Sequence, residues 1–330
     1  MISINSKIQI KDHLFTNRVI VPPMASATAD SNGFVTDATI EHYKRLTNSH
    51  ASMIMVEYSY IHLSGRSEAN QLGIDSDTKV ERLKQLSTVI KKNGAIAGIQ
   101  LTHAGGKSEK LLTGGRLLSP SGITVPVRDK VLETPSSADL SDISIIKSSF
   151  LKAAERAVNA GFDLIEIHAA HGYGINQWLS PITNQRSDLY GGNFENRCKL
   201  LFEVITKVRE LHPTILISVR IPGEDSLERG ITQNDSLRLS KSLSKLGVDI
   251  INVSSGLGGW KRPRGKNGEG YLVDLASYIQ PNVSTPVIGV GGIKTKKYIN
   301  QELCKNSFFF AAIGRAILES PQIGKSLNLY

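Results

Sequence analysis

Cysteine is almost missing from this chain, with two residues, Cys198 and Cys304, among 330. They stand in no CxxC or other paired pattern, which argues against a disulfide framework and a cysteine-built metal site and points to a reducing, cytoplasmic setting. Long apolar runs are absent too. None approaches the roughly 18 residues of a membrane-spanning helix, and the opening stretch MISINSKIQIKD lacks the pattern of a signal peptide; no membrane association is expected. No low-complexity tract or linker divides the sequence. Positive charge is plentiful, at a formal net +9, yet Lys and Arg are scattered outside short clusters at 261–266 and 294–297. No basic run is interleaved with aromatics. That pattern argues against a nucleic-acid partner and suits solubility plus attraction for phosphorylated small molecules.

What is present is a globular composition, 40% hydrophobic and 21% charged, long enough for one large core spanning residues 1–330. Short apolar segments of strand length recur through it: VIVPPM (19–24), SMIMVEYS (52–59), AIAGIQLTH (95–103), DLIEIH (163–168), ILISVRI (215–221), DIINVSSG (249–256), PVIGVGG (286–292) and FFFAAIGR (308–315). Segments of helical period lie between them. One carries Ile143, Ile146, Phe150, Ala153 and Ala157, with Ser141 expected as N-cap and Gly161 as terminator. Another carries Leu200, Leu201, Val204, Ile205 and Val208. Apolar strands alternating with amphipathic helices predict parallel strands covered by helices. Eight such strands favour a closed (β/α)8 TIM barrel, with a doubly wound sheet as the alternative.

Barrels of this kind place their chemistry at the C-terminal strand ends, and polar groups gather there. Strand 3 ends in Gln100 and His103, strand 4 in His168 and His171 with Tyr173 just beyond, strand 5 in Arg220, strand 6 in Ser254 and Ser255. The His-x-x-His pair is open to three readings: catalytic donors, metal ligands, or structural rings. No third ligand of suitable spacing accompanies it, so no metal is expected. Strands 7 and 8 end in Gly291, Gly292, Gly314 and Arg315. Glycines let backbone N–H groups approach an anion and arginine adds a charge-assisted contact, so a phosphate cradle is expected here. Residues 104–140, between strands 3 and 4, are too long for a tight turn. Their apolar patch Ile123–Val127 marks them as a cap over the substrate mouth rather than a disordered excursion.

The segment HAAHGYGINQWLSPITNQRSDLYGGNFENR (168–197) resembles the signature of the old yellow enzyme family, FMN-dependent ene-reductases on a (β/α)8 barrel. NRVIVPPMA (17–25), GIQLTHAGGK (98–107), SVRIPGED (218–225), VSSG (253–256), VGG (290–292) and IGRAILESP (313–321) follow in family order. The resemblance implies non-covalent FMN, its phosphate on Gly291, Gly292, Gly314 and Arg315. It implies backbone contacts from Pro23, Met24 and Ala25, Gln100 at the pyrimidine edge, Arg220 near the N1–C2 carbonyl region and Tyr58 beside the cofactor. His168 and His171 would hold the oxygen of an α,β-unsaturated carbonyl or nitro compound, hydride would reach the β carbon from flavin N5, and Tyr173 would protonate the α carbon. NADPH or NADH would be the reductant, in ping-pong turnover.

Departures from the family pattern fall around the ring. Ala25 stands where a cysteine or threonine is usual, Ala27 where a tyrosine is common, and Tyr58 where the residue is commonly small. Trp178, Tyr60, Trp260 and Tyr271 are candidates for new pocket walls. Two other functions stay open at this level: an isomerase or lyase acting on a phosphorylated substrate with the histidines as acid and base, and a flavin-binding protein without turnover. A homo-oligomer is left open, since no interface signature is visible.

Overall fold

The computed structural model describes residues 2–129, 131–262 and 268–329; most of the basic cluster at 261–266 therefore lies outside the described residues. Eight parallel strands close into a barrel: β1 (Val19–Val21), β2 (Met53–Tyr60), β3 (Ile96–Thr102), β4 (Leu164–His168), β5 (Leu216–Pro222), β6 (Ile250–Ser254), β7 (Val287–Gly289) and β8 (Phe310–Ala312). Each falls on an apolar segment of the sequence, because a strand enclosed by side chains within the barrel and helices outside must be apolar on both faces. Every residue of the eight is buried except Tyr58. Closure comes through pairing of β8 with β1 at Ala311 and Val19, which excludes the doubly wound alternative.

Seven helices cover the outside: α1 (Asp37–Leu46), α2 (Val80–Lys91), α3 (Leu140–Asn159), α4 (Phe194–Leu211), α5 (Gln233–Lys245), α6 (Val273–Ile279) and α7 (Lys296–Cys304), with short helices Arg315–Glu319 and Ile323–Leu327 following β8. The expected apolar stripes of α3 and α4 face the core. The expected N-cap of α3 is corrected: Asp139, not Ser141, occupies that position. Its carboxylate accepts the Asp142 N–H while the Asp142 side chain accepts the Asp139 N–H. This reciprocal box, with carboxylates at the positive end of the helix dipole, outcompetes a serine two residues further in. Gly161 ends the helix at φ +74°, as expected.

An N-terminal antiparallel hairpin, Ile8–Ile10 with His13–Phe15, was not evident from the sequence. Phe15 packs 4.9 Å from Phe310, and Lys11 Nζ donates to the Ile215 carbonyl at 3.1 Å. The hairpin thereby covers the N-terminal end of the barrel. At the opposite end, the described residues of 104–140 pack against loops that follow the strands. Leu118–Ser119 pairs with Ser136–Ser137, and Val125 and Leu132 pack with Leu257 beyond β6. Gln177 fastens the cap's base, accepting from the Gly106 N–H at 2.9 Å and donating to the Ala104 carbonyl at 2.9 Å. Among the described residues, no helix is long and apolar enough to cross a membrane.

Candidate active site

The strand ends surround a cleft of about 870 Å³, within the range of small-molecule and cofactor sites. Pro23, Met24, His171 and Arg220 form one part of its wall, and Gly291, Gly292, Gly314 and Arg315 another. Ser254 stands beside His171. Trp260 and Tyr271 also line the cleft, whereas Trp178 and Tyr60 are packing residues. Trp178 lies against Tyr190 and Arg186, and the Tyr60 hydroxyl donates to the Asn32 carbonyl.

The turn after β4 is built to return a histidine toward the strand it leaves. His171 and Gly172 both take left-handed conformations, at φ +59° and +74°, which only glycine adopts without strain. Four contacts hold the strained turn. The His171 N–H donates to the Ser255 carbonyl at 3.1 Å, and the Gly172 N–H to Asn176 Oδ1 at 2.7 Å. Gln177 Nε2 donates to the Gly172 carbonyl, and Lys107 Nζ to the His171 carbonyl, each at 2.7 Å.

The result is a continuous aromatic cluster. His168 lies 5.1 Å from His171 and 4.9 Å from Tyr173, and Tyr58 lies 5.5 Å from Tyr173, centroid to centroid. His168 Nε2 and His171 Nδ1 approach to 3.4 Å. Burial holds both imidazoles well below their ordinary pKa, reinforced by the Arg220 and Lys107 charges, so both rings are neutral near pH 7. Burial, then the Glu68 charge, raises the Tyr173 phenol, which keeps its proton. The site therefore offers neutral donors.

Beneath lies a polar layer that the sequence reading missed. Glu166, fully buried, accepts from Gln100 Nε2 at 2.7 Å, Ser218 Oγ at 2.8 Å and Asn252 Nδ2 at 2.9 Å. Alternation was the available signal: Glu166, Ser218 and Asn252 each stand two residues before His168, Arg220 and Ser254, hence on the same inward face. Gln100 is turned into this layer and does not line the cleft. Arg220 stands above it, only 9% exposed, with its Nε buried and without a partner. Ala25 and Ala27 are exposed on the loop after β1, with Ala27 at φ +54°. Among the described residues, no group of three or more His, Cys, Asp and Glu side chains is arranged to hold a metal.

The model of the NADH:flavin oxidoreductase / NADH oxidase family matches residues 4–328. An NADPH dehydrogenase of Clostridium acetobutylicum is 37% identical over 314 residues, 94% of this chain and 90% of that protein. The chain belongs to this family, that of the old yellow enzymes. An NADPH dehydrogenase of a Geobacillus species is 38% identical over 288 residues, 86% of this chain and 82% of that protein. Among solved structures, the old yellow enzyme homologue from Zymomonas mobilis superposes with a TM-score of 0.86 at 22% identity, over 99% of this chain and 92% of that one. Morphinone reductase in complex with tetrahydroNAD gives 0.84 at 22% identity, over 99% and 90%. Those two likenesses concern the barrel.

As an old yellow enzyme family member the protein is an FMN-dependent NAD(P)H oxidoreductase, and its own residues fit FMN. A buried guanidinium with an unpartnered Nε suits an electron-rich ring edge. The glycine cradle has no room for side chains: a Cβ on Gly292 would run into the Gly268 carbonyl oxygen, and one on Gly291 would lie 2.7 Å from the Leu272 nitrogen. Both glycines line the cleft, where backbone without a Cβ suits close approach of a phosphate.

Proposed function

We propose that the protein reduces activated C=C bonds, in α,β-unsaturated carbonyl or nitro compounds, at the expense of NAD(P)H. The observation that carries this reading is the donor pair: two neutral histidines with facing ring nitrogens 3.4 Å apart, beside a protonated tyrosine. His168 and His171 take the substrate oxygen between them, which polarises the alkene and stabilises the developing enolate-like charge. Hydride for the β carbon would come from FMN held in the cleft. Tyr173 gives its proton to the α carbon, a transfer for which a phenol intact at neutral pH is suited. Arg220 would stand at the cofactor ring and stabilise negative charge arising there. Gly291, Gly292, Gly314 and Arg315 would hold the cofactor phosphate, and Pro23, Met24 and Ala25 would form the ring platform. Gln100 supports the pyrimidine edge from the Glu166 layer, and Tyr58 backs Tyr173.

The test is an anaerobic cycle. NADPH should bleach the yellow protein and an enone should restore the colour; bleaching without recolouring by any enone, enal, maleimide or nitroalkene would leave an NADPH oxidoreductase that does not reduce C=C bonds, and no bleaching would leave a flavin binder. Tyr173→Phe should slow the oxidative half-reaction at least tenfold and spare the reductive one. Equal losses in both would remove Tyr173 from the proton-donor role.

A further inference from the structure

We propose that Glu68 and Tyr58 form the route by which solvent protons reach Tyr173 between turnovers, an inference that rests on Tyr173 being the proton donor. After each protonation of substrate, Tyr173 is left as a phenolate in a largely buried position and must recover a proton. Its ring faces His168 at 4.9 Å, Lys107 Nζ at 4.7 Å and Tyr58 at 5.5 Å, and Tyr58 and Ser67 are its hydroxyl-bearing neighbours. His168 is neutral and committed to the oxyanion. Lys107 is engaged with the His171 carbonyl and its charge favours the transient phenolate.

Of the two hydroxyl neighbours, only Tyr58 leads on to a titratable group at the surface. Ser67 Oγ donates to Gln71 Oε1 at 3.2 Å, and Gln71 is 2% exposed, so that branch ends on a buried amide that carries no exchangeable acid. Tyr58 donates to Glu68 Oε1 at 2.5 Å, a charge-assisted contact, and Glu68 is exposed to solvent. The placement of Tyr58 is a feature of the barrel itself. Between the pairs Val56–Ile99 and Ser59–Leu101, β2 holds one residue more than β3. This bulge aims Tyr58 off the normal alternation, as bulges near sites do, and Tyr58 is the one residue of β2 that is not buried.

The proton balance closes. The Tyr173 O–H bond breaks as the substrate Cα–H bond forms. The Tyr58 O–H bond then breaks as the Tyr173 O–H bond re-forms, and Tyr58 is reprotonated by the Glu68 carboxyl group, which takes its proton from hydronium or a buffer acid. One proton passes from solvent to product per turnover.

The decisive measurement compares first-turnover and steady-state rates in Glu68→Gln and Tyr58→Phe holoenzymes at pH 9 in weak buffer, where solvent acid is scarce. The expected result is a fall of fivefold or more in kcat in both variants, recovering as a small buffer acid is added, with the first turnover after anaerobic pre-reduction changed less than twofold in Glu68→Gln. Buffer rescue is a response that a merely structural role would not produce. Independently of turnover, tyrosinate absorbance titration, corrected with Tyr173→Phe, should place the Tyr173 midpoint lower in Glu68→Gln. If both variants match the parent enzyme at every buffer concentration, or the Tyr173 midpoint does not move, the relay is overturned. A Tyr173→Phe enzyme whose first turnover is as fast as the parent's would instead overturn the underlying donor assignment.

Discussion

His171 Nε2 lies 2.7 Å from Ser254 Oγ, a hydroxyl that can donate or accept and so can serve either tautomer of His171. His168 Nδ1 accepts the Ala170 N–H at 3.3 Å, so its proton sits on Nε2, facing His171. For both rings to donate to one oxygen, His171 must be protonated on Nδ1 and accept on Nε2. The Ser254 hydroxyl rotates to donate there. Ser254→Ala should weaken binding of a simple phenol about tenfold, the loss of one hydrogen bond worth roughly 1.4 kcal/mol, and Ser254→Thr should retain it. Titration of the flavin absorbance with phenol reads this directly; equal affinity in the alanine variant would show that Ser254 does not set the tautomer.

Gly292 has φ +69° and no space for a methyl group beside the Gly268 carbonyl. Gly292→Ala should purify folded but with flavin content reduced at least tenfold, because the displaced loop carries the phosphate-facing amides. The ratio of flavin to protein absorbance, with far-UV circular dichroism as the control for folding, tests it.

Arg220→Lys keeps a charge above Glu166 but loses the planar donor set. A more negative two-electron potential is expected, measured by equilibration with a reference dye, because the point charge stabilises the reduced ring edge less well. A potential equal to that of the parent would place the guanidinium elsewhere.

Burial pulls His103 down to about 3, and its ring nitrogens are occupied by the Gly105 N–H and Ser64 Oγ. The folded state thus holds it neutral while the unfolded chain protonates near 6.5. Its contribution is present above about pH 6.5 and lost as pH falls, by about 1.4 kcal/mol per pH unit. His168 and His171 act in the same direction. In urea denaturation between pH 7 and 5, His103→Gln should flatten the slope of stability against pH by about one proton. An unaltered slope would mean that His103 titrates normally in the folded protein.

The positions of the strands were legible because periodicity is local: Leu164, Ile165 and Ile167 mark β4 with no knowledge of its neighbours. The same holds for the His168, His171 and Tyr173 turn and the glycines of β7 and β8, whose chemistry is written in consecutive residues. Asp139 was passed over as a cap since Ser141 has a similar propensity, and only the reciprocal bond with Asp142 separates them. Trp178 and Tyr60 could not be told from pocket walls, because an aromatic's hydrophobicity does not say which side of a strand or helix it packs on.

The sequence by itself determined which residues alternate inward, where each strand stops, and therefore that His168, Arg220, Ser254, the Gly291–Gly292 pair and Gly314 would meet at one end of a barrel. Tertiary structure alone decided their partners. Glu166 and Asn252 are 86 residues apart and bond only because the barrel closes and staggers its strands; a bulge in β2 set Tyr58 beside Tyr173; and Ser254 came to stand 2.7 Å from the His171 ring. Hydrogen bonds and charge are resolved over about 3 Å, a precision that local periodicity does not carry and that closure of the barrel supplies.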